Sequence, residues 1–160
     1  MSKIILGIDP GIADTGFGVI EFFSHNKLAC LDYGSIQTSA GVDLDKRLLT
    51  LSLQLKKIIS KYKPEVLAIE ELFFNKNIKT ALTVAQARGV VMLSAAENNL
   101  EIKSYTPLQI KQSVSCYGQA KKIQVQKMVK LILNLESLPK PDDAADALAA
   151  AICSSASLKF

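Results

Sequence analysis

The chain has 160 residues, with 19 Lys and Arg against 15 Asp and Glu, which gives a net charge of +4. This length fits a single domain over residues 1–160, and the 49% of hydrophobic residues excludes a globally disordered chain. The small excess of positive charge is compatible with a polyanionic partner, and equally with a surface that serves solubility alone. Composition therefore indicates a packed fold and leaves the function open.

Cysteine and histidine usage narrows the classes of chemistry. Cys30, Cys116 and Cys153 are far apart and form no Cys-x-x-Cys pair, which argues against a disulfide framework and a thiolate zinc site and favours the cytoplasm. No apolar run reaches the roughly 18 residues that span a bilayer, so we expect no membrane partner. Because the chain has one histidine, His25, carboxylates become the main candidates for catalysis.

The first third of the chain has strand patterns. Residues 3–9 form a short apolar run that ends at Pro10-Gly11, which predicts a buried strand followed by a turn. Two β-rich stretches, residues 17–23 and 28–36, flank a polar connection over residues 24–27. These features predict an antiparallel meander of three strands.

Helices and strands alternate after that point. Apolar residues at helical spacing predict a helix over residues 44–62, with Asp43 as its N-cap and Pro64 marking its end. Residues 66–70 are a second short buried strand. Residues 79–98 predict a long helix, and its small residues would allow close packing on the core or on a second subunit.

The last third completes the predicted fold. Residues 101–105 are a fifth strand candidate, Pro107 suits the first turn of a helix, and two more helices are predicted over residues 124–133 and 142–155. Strands that form a meander and then alternate with helices favour an α/β fold. We predict a mixed five-stranded sheet with helices on both faces.

Acidic residues stand where the predicted strands end and the last helix begins. Asp9 ends the first strand, and Glu70 or its neighbour Glu71 ends the second buried strand. Ligands bind at such carboxyl ends in open α/β sheets, and alternation lets only one of the two glutamates face the site. Asp143 and Asp146 lie one turn apart on the last helix. We expect four carboxylates to converge.

Clustered carboxylates repel one another, which raises their pKa values and destabilises the fold. A bound divalent cation removes this repulsion. Oxygen ligands favour Mg²⁺ or Mn²⁺, and two such ions activate a water for phosphodiester hydrolysis. Structural interpretations also exist: Asp9 fits an Asx-type turn, Asp14 fits a turn, and helix capping explains Asp142 and could explain Asp143. With a basic surface, the pattern favours a nuclease.

Several sequence blocks resemble the RuvC family of Holliday junction resolvases, in the same order over nearly the whole chain. The blocks are GIDPG (7–11), TGFGVI (15–20), AIEELFFNKN (68–77), AQARGVV (85–91), IKQSV and GQAKKIQVQKMV (between 110 and 129) and DDAADALAAAI (142–152). The resemblance implies a ribonuclease-H-like fold and a homodimer. It implies an endonuclease that makes symmetric paired nicks in a four-way DNA junction, in homologous recombination and DNA repair, with RuvA and RuvB as partners.

The resemblance also assigns roles to individual residues. Asp9, Glu70, Asp143 and Asp146 match the family's catalytic, metal-binding carboxylates, which implies two Mg²⁺ per subunit with Mn²⁺ as a possible substitute. It selects Glu70 over Glu71, which alternation alone leaves open.

DNA contacts are implied in the same way. Phe73 matches an aromatic that stacks at the junction, and Lys111 and Lys122 match residues that contact the phosphate backbone. For Lys121 and Lys127 we prefer solvated lysines. Two alternative functions stay open, a non-catalytic junction-binding module and a ribonuclease-H-like nuclease that is less selective for structure.

Overall fold

A computed structural model describes residues 2–24, 27–72 and 78–158 of the chain. The elements in these ranges are listed here in chain order: β1 (Ser2–Asp9), β2 (Asp14–Phe23), β3 (Lys27–Gln37), α1 (Leu44–Tyr62), β4 (Val66–Glu70), α2 (Ile78–Glu97), β5 (Glu101–Tyr105), α3 (Pro107–Ser115), α4 (Lys122–Ile132) and α5 (Asp142–Ser155). Among these helices, none combines the length and apolar character needed to cross a membrane.

The strands form one mixed sheet in the order β3-β2-β1-β4-β5. β1 pairs antiparallel with β2 and parallel with β4, while β2 pairs antiparallel with β3 and β4 parallel with β5. The carboxyl ends of β1, β4 and β5 therefore lie at one edge, where the antiparallel β2 begins. The predicted mixed sheet and its meander are confirmed.

The strand β2 begins at Asp14, three residues before the predicted start at Phe17. Its pairing with β3 extends back to Asp14 and Gln37, and the Thr15 side chain is buried. The Thr15 hydroxyl donates a hydrogen bond to the carbonyl of Gly11. The Asp-Thr-Gly sequence lacks the large apolar residues that mark a strand, which is why the pattern missed this extension.

Alternate residues of the central strands face two separate helix layers. On β1, Ile5 packs with the layer of α3, α4 and α5, whereas Leu6 and Ile8 pack with α1 and α2. On β4, Val66 and Ala68 lie on the side of α5. Leu67 and Ile69 lie on the side of α1 and α2. Burial on both faces explains the continuous apolar runs of β1 and β4 and confirms helices on both faces.

Glycines in β1 and β2 bring α5 against the sheet. A Cβ on Gly7 would lie 2.0 Å from the carbonyl oxygen of Ala147, and one on Gly16 would lie 2.0 Å from the carbonyl oxygen of Asp143. Side chains at these two positions would therefore push α5 away. This close approach places the first turn of α5 at the carboxyl edge of the sheet.

Helix boundaries follow the predictions closely, with two differences at their beginnings. α1 spans the predicted residues, but the Asp43 carboxylate caps no main-chain amide and accepts instead from Lys46 Nζ at 2.9 Å. α4 begins at Lys122 because the Gln124 side chain accepts from the Lys121 amide at 2.7 Å, which favours a helix start two residues before the predicted one.

Candidate active site

Three carboxylates meet where β1 ends and α5 begins. Asp9 is the last residue of β1, and Asp143 and Asp146 lie on the first turns of α5. One oxygen from each of the three lies within 4.8 Å of the others, and all three side chains are partly buried. The structure therefore brings together three of the four carboxylates that were expected to converge.

Glu70 stands beside this group at the end of β4. It lies outside the set within 4.8 Å, but it lines a cleft together with Lys111, Lys122 and Asp146. Glu71 borders a second cleft with Asp9 and Glu70, and it also lines a third cleft on the side of α2, away from Lys111 and Lys122. Glu70 shares the face of Val66 and Ala68 and thus lies on the side of α5, which agrees with the choice of Glu70 that the resemblance implied.

The electrostatics of the cluster are most visible at Asp9. The pKa of Asp9 is raised to about 8. Burial is the largest cause, the nearby charges of Asp146, Glu70 and Asp143 add to it, and the charge of Lys122 opposes it. Poor hydration and the repulsion of like charges each raise the pKa of a carboxyl group, and both act on Asp9. A cation would relieve both effects.

The pKa values of two further carboxyls are raised for the same reasons. Burial raises the pKa of Glu70, with Asp146 adding to the effect, and burial followed by the charge of Asp14 raises the pKa of Asp143. Lys122 opposes both shifts. The whole edge of the sheet therefore carries more negative charge than its protein cations neutralise.

Asp14 is a residue that sequence reasoning missed. It was interpreted as a turn residue, yet it begins β2 at the same edge as Asp9, and its charge acts on Asp143. One carboxylate oxygen accepts from Gln37 Nε2 at 3.4 Å, while Oδ1 is buried with no hydrogen-bond partner among the described residues. The predicted antiparallel meander is the signal that could have located Asp14, because it brings the start of β2 beside the end of β1.

Two lysines provide positive charge at the rim of the cluster. The Nζ of Lys122 lies 3.0 Å from Oδ2 of Asp146 and 3.6 Å from Oδ2 of Asp142. Burial alone would lower the pKa of Lys122, but the hydrogen bond and charge of Asp146 outweigh it and raise that pKa. Lys111 is partly buried in the cleft beside Glu70. Both cations are therefore held close to the carboxylates.

Asp142 has a role other than the predicted helix capping. Pro141 is the N-cap of α5, and no side chain caps it. Oδ1 of Asp142 instead accepts from Nε2 of the largely buried Gln126 at 3.0 Å, and Oδ2 faces Lys122. The capping interpretation failed because a donor on α4 reaches this carboxylate, and Asp142 ties α4 to the start of α5.

The sequence predicts one further DNA contact, Phe73, and two solvated lysines, Lys121 and Lys127. Phe73 lies outside the described residues. Lys121 and Lys127 are exposed, at the beginning and in the middle of α4. Arg88, within the AQARGVV block, is one of only two arginines in the chain, and no sequence pattern predicts its bond to the carbonyl of Glu70 at 3.3 Å.

The donor set fits a hard divalent cation. Asp9, Asp143, Asp146 and Glu70 offer only carboxylate oxygens, which suit Mg²⁺ or Mn²⁺ better than softer metals. The raised pKa of Asp9 indicates that the cluster lacks sufficient positive charge without such an ion. With cationic side chains at its rim, the arrangement can bind a metal and a phosphate side by side.

Known proteins match this chain over nearly its whole length. The family profile "Crossover junction endodeoxyribonuclease RuvC" matches residues 5–154. Proteins of that name from Ruminiclostridium cellulolyticum and Caldicellulosiruptor saccharolyticus are 59% and 56% identical, with 94% and 93% of this chain and 90% of each relative covered.

Solved structures agree with the sequence matches. Thermus thermophilus RuvC superimposes with a TM-score of 0.85 at 34% identity, covering 94% of this chain and 92% of that one. The structure of T. thermophilus RuvC in complex with Holliday junction substrate gives 0.86 at 31% identity, covering 94% and 91%. The predicted ribonuclease-H-like fold is confirmed, and the chain belongs to the RuvC family of crossover junction endodeoxyribonucleases.

Proposed function

We propose that this chain is a divalent-metal-dependent endonuclease that resolves Holliday junctions by symmetric paired nicks, acting as one nuclease domain in homologous recombination and DNA repair. The observation that carries the proposal is the convergence of Asp9, Asp143 and Asp146 at the edge of the sheet, with Glu70 beside them. The similarity to T. thermophilus RuvC, whose structure holds a Holliday junction substrate, supports the four-way junction as the substrate.

The four carboxylates would hold the metal. Asp9 and Glu70 come from neighbouring parallel strands, and Asp143 and Asp146 from one helix, so the ligands are fixed by rigid elements. When bound, two Mg²⁺ ions, or Mn²⁺ in their place, would activate a water for attack on the phosphorus and stabilise the oxygen that leaves. The carboxylates' own task is to hold these charges in place and to orient them toward the cleft.

The lysines would hold the DNA phosphate. Lys122 contacts Asp146 and Asp142, so its ammonium group lies at the rim of the cluster. Lys111 lines the same cleft. A phosphate that enters the cleft would exchange these carboxylate contacts for its own, and both cations would offset the charge that develops as the bond breaks. Phe73 remains a proposed stacking residue on the basis of the resemblance.

Paired nicks require two active sites, and we propose a homodimer. On α2, the Leu82 and Leu93 side chains are 58% and 60% exposed, and a Cβ on Gly89 would meet nothing within 4 Å. An apolar helix face with a small residue favours packing against another helix. The two-fold axis of such a dimer would match the symmetry of a four-way junction. The resemblance also makes RuvA and RuvB proposed partners. The unpaired cysteines favour the reducing cytoplasm as the location of this chain.

A cleavage assay on three labelled DNA substrates tests the proposal. With Mg²⁺ we expect the protein to cut a synthetic four-way junction at two opposed strands, and to cut a fork and a linear duplex far more slowly. The Asp143→Asn variant should bind the junction without cutting it. Equal cutting of all three substrates would indicate a nuclease that is not selective for structure. Junction binding without cutting by the wild type would indicate a binding module.

A further inference from the structure

The main chain at the end of β4 determines where the Glu70 carboxylate lies. The parallel pairing of β1 with β4 ends at Ile8 and Ile69, one residue before Glu70. Beyond Ile69, no pairing with β1 holds β4 in place. Since the Glu70 side chain and the following peptide share one Cα, a change in the course of the main chain at this point would move the carboxylate relative to the metal ligands.

Arg88, on α2, supplies a bond where the pairing has stopped. Its Nε donates to the carbonyl oxygen of Glu70 at 3.3 Å, and its Nη2 donates to Oγ of Ser104 on β5 at 2.9 Å. On the other end of the same peptide unit, the amide of Glu71 donates to the carbonyl of Tyr105 at 2.8 Å. The Glu70–Glu71 peptide is therefore held at both its oxygen and its nitrogen.

The setting of Arg88 argues against a role as a simple surface charge. Among the described residues, no carboxylate lies within ion-pair distance of its guanidinium, although Glu71 lines the same cleft. Its third nitrogen, Nη1, contacts Sδ of Met92 at 3.0 Å, one turn along α2. The planar guanidinium spreads its donors over three nitrogens in fixed directions, whereas a lysine presents all of its donors from one rotatable nitrogen. Each of its three nitrogens therefore bonds to one of these neighbours.

We infer that Arg88 is a positioning residue, which holds the Glu70 carboxylate toward the metal ligands by fixing the peptide that follows it. This inference rests on the proposed function, because it assigns Glu70 to the metal centre. Arg88 itself touches neither DNA nor metal in this account. Groups that orient a metal ligand from behind affect metal affinity and activity without contributing a donor.

Three variants separate positioning from packing. Arg88→Met keeps the aliphatic stem and removes every donor, and Arg88→Lys keeps the charge but not the fork. Arg47→Met is the matched control, because Arg47 also bonds from a helix to a hydroxyl and a carbonyl, both of Thr38, at 2.9 and 3.3 Å. Neither Arg47 nor Thr38 is a proposed metal ligand.

The experiment measures Mn²⁺ affinity by electron paramagnetic resonance on DNA-free protein, and single-turnover cutting of the junction with Mg²⁺. For Arg88→Met we expect losses of about 10- to 100-fold in Mn²⁺ affinity and in cutting rate, with unchanged junction binding in Ca²⁺. Arg88→Lys should fall between this variant and the wild type. Arg47→Met should match the wild type in both readouts, whatever its thermal stability.

The outcomes distinguish the inference from the proposed function. Wild-type Mn²⁺ affinity and cutting rate in folded Arg88→Met would overturn the inference, and so would an equal loss in Arg47→Met. If Arg88→Met does not fold, Arg88→Lys decides by the same two readouts. A wild type that does not cut the junction would contradict the proposed function, while the Mn²⁺ affinities would still test the placement of Glu70.

Discussion

Two carboxylate environments in this molecule differ in the partners that surround the negative charge. Asp32, on β3, accepts hydrogen bonds from the Tyr62 hydroxyl and from the Tyr33 amide at 2.9 Å, and Lys61 Nζ lies 3.6 Å away. Asp9, at the end of the central strand β1, has no hydroxyl, amide or lysine partner of this kind among the described residues, and its nearest charged neighbours include Asp143 and Asp146.

The difference indicates what each environment is for. A carboxylate surrounded by donors is satisfied by the fold and stabilises it. A carboxylate packed against its own kind opposes folding unless a ligand supplies positive charge. The α5 edge therefore carries an electrostatic cost that the β3–α1 contact does not. Substitutions in the two places should then have opposite effects on stability and very different effects on activity.

The largest effect is expected from removing one charge of the acidic cluster. Asp9→Asn should lower the rate of junction cutting by about 10³-fold, because the metal centre loses a central ligand. Asp32→Asn is the matched substitution in the satisfied environment and should cut at the wild-type rate. Single-turnover assays with Mg²⁺ measure both. Equal loss in the two variants would show that the loss reflects general damage to the fold.

A smaller loss of activity is expected from the lysines at the rim. Lys122→Met should slow cutting by about 10²-fold, because the phosphate loses a cation close to the breaking bond. Lys127→Met, on the exposed face of the same helix, is the control and should leave cutting unchanged. Cutting rates at saturating protein, alongside junction binding in Ca²⁺, provide the measurement. A slow Lys127→Met variant would contradict the assignment.

The pH dependence of stability should separate the two environments. The pKa of Asp9 is raised from 3.8 to about 8 in the folded protein, so the folded state holds the Asp9 proton more tightly than the unfolded state does. The stability gained from that proton is complete below about pH 4 and is lost as the pH rises through 8. Metal-free protein should therefore lose stability across this range.

Asp9→Asn provides the control for this dependence. Without the buried charge, the metal-free variant should be more stable than the wild type at pH 8, by about 2 kcal/mol, and its stability should fall less between pH 4 and 8. Urea unfolding at a series of pH values in EDTA measures the effect. Added Mg²⁺ should stabilise the wild type and leave the variant nearly unchanged. A wild type that gains stability steadily up to pH 8 would contradict the prediction.

The smallest effect is expected at the satisfied carboxylate. Asp32→Asn loses the charge that faces Lys61 and should destabilise the protein by about 1 kcal/mol, with or without Mg²⁺. Urea unfolding at pH 7 measures the difference. This change in the free energy of unfolding has the opposite sign to the change expected for metal-free Asp9→Asn. A stabilised Asp32→Asn variant would show that the two environments do not differ in the way described.

Much of this contrast could be predicted from the sequence. The run before Pro10-Gly11 placed Asp9 at the end of a buried strand, and the spacing of Asp143 and Asp146 placed both on one face of a helix. These are local patterns, and each strand or helix determines them by itself. The mixed five-stranded sheet and the helices on its two faces followed from the alternation of patterns along the chain, whereas the strand order comes from the structure.

Other features depend on contacts between distant segments. The capping interpretation of Asp142 rested on its position at the start of a helix. Its bond to Gln126 joins two helices, and no local pattern indicates such a bond. Asp14 joins the acidic edge only because β2 returns antiparallel to β1. Arg88 reaches the end of β4 across 18 residues of sequence. Such side-chain contacts are set by the packing of elements, and only the structure reveals them.

The central claim is that the carboxylates at the edge of the sheet form a divalent metal centre. Diffraction at the manganese absorption edge from crystals soaked in Mn²⁺ tests it most directly. We expect anomalous density between Asp9, Asp143 and Asp146, with Glu70 directed toward it. Crystals with this cleft open to solvent, and with manganese bound elsewhere or not at all, would contradict the account.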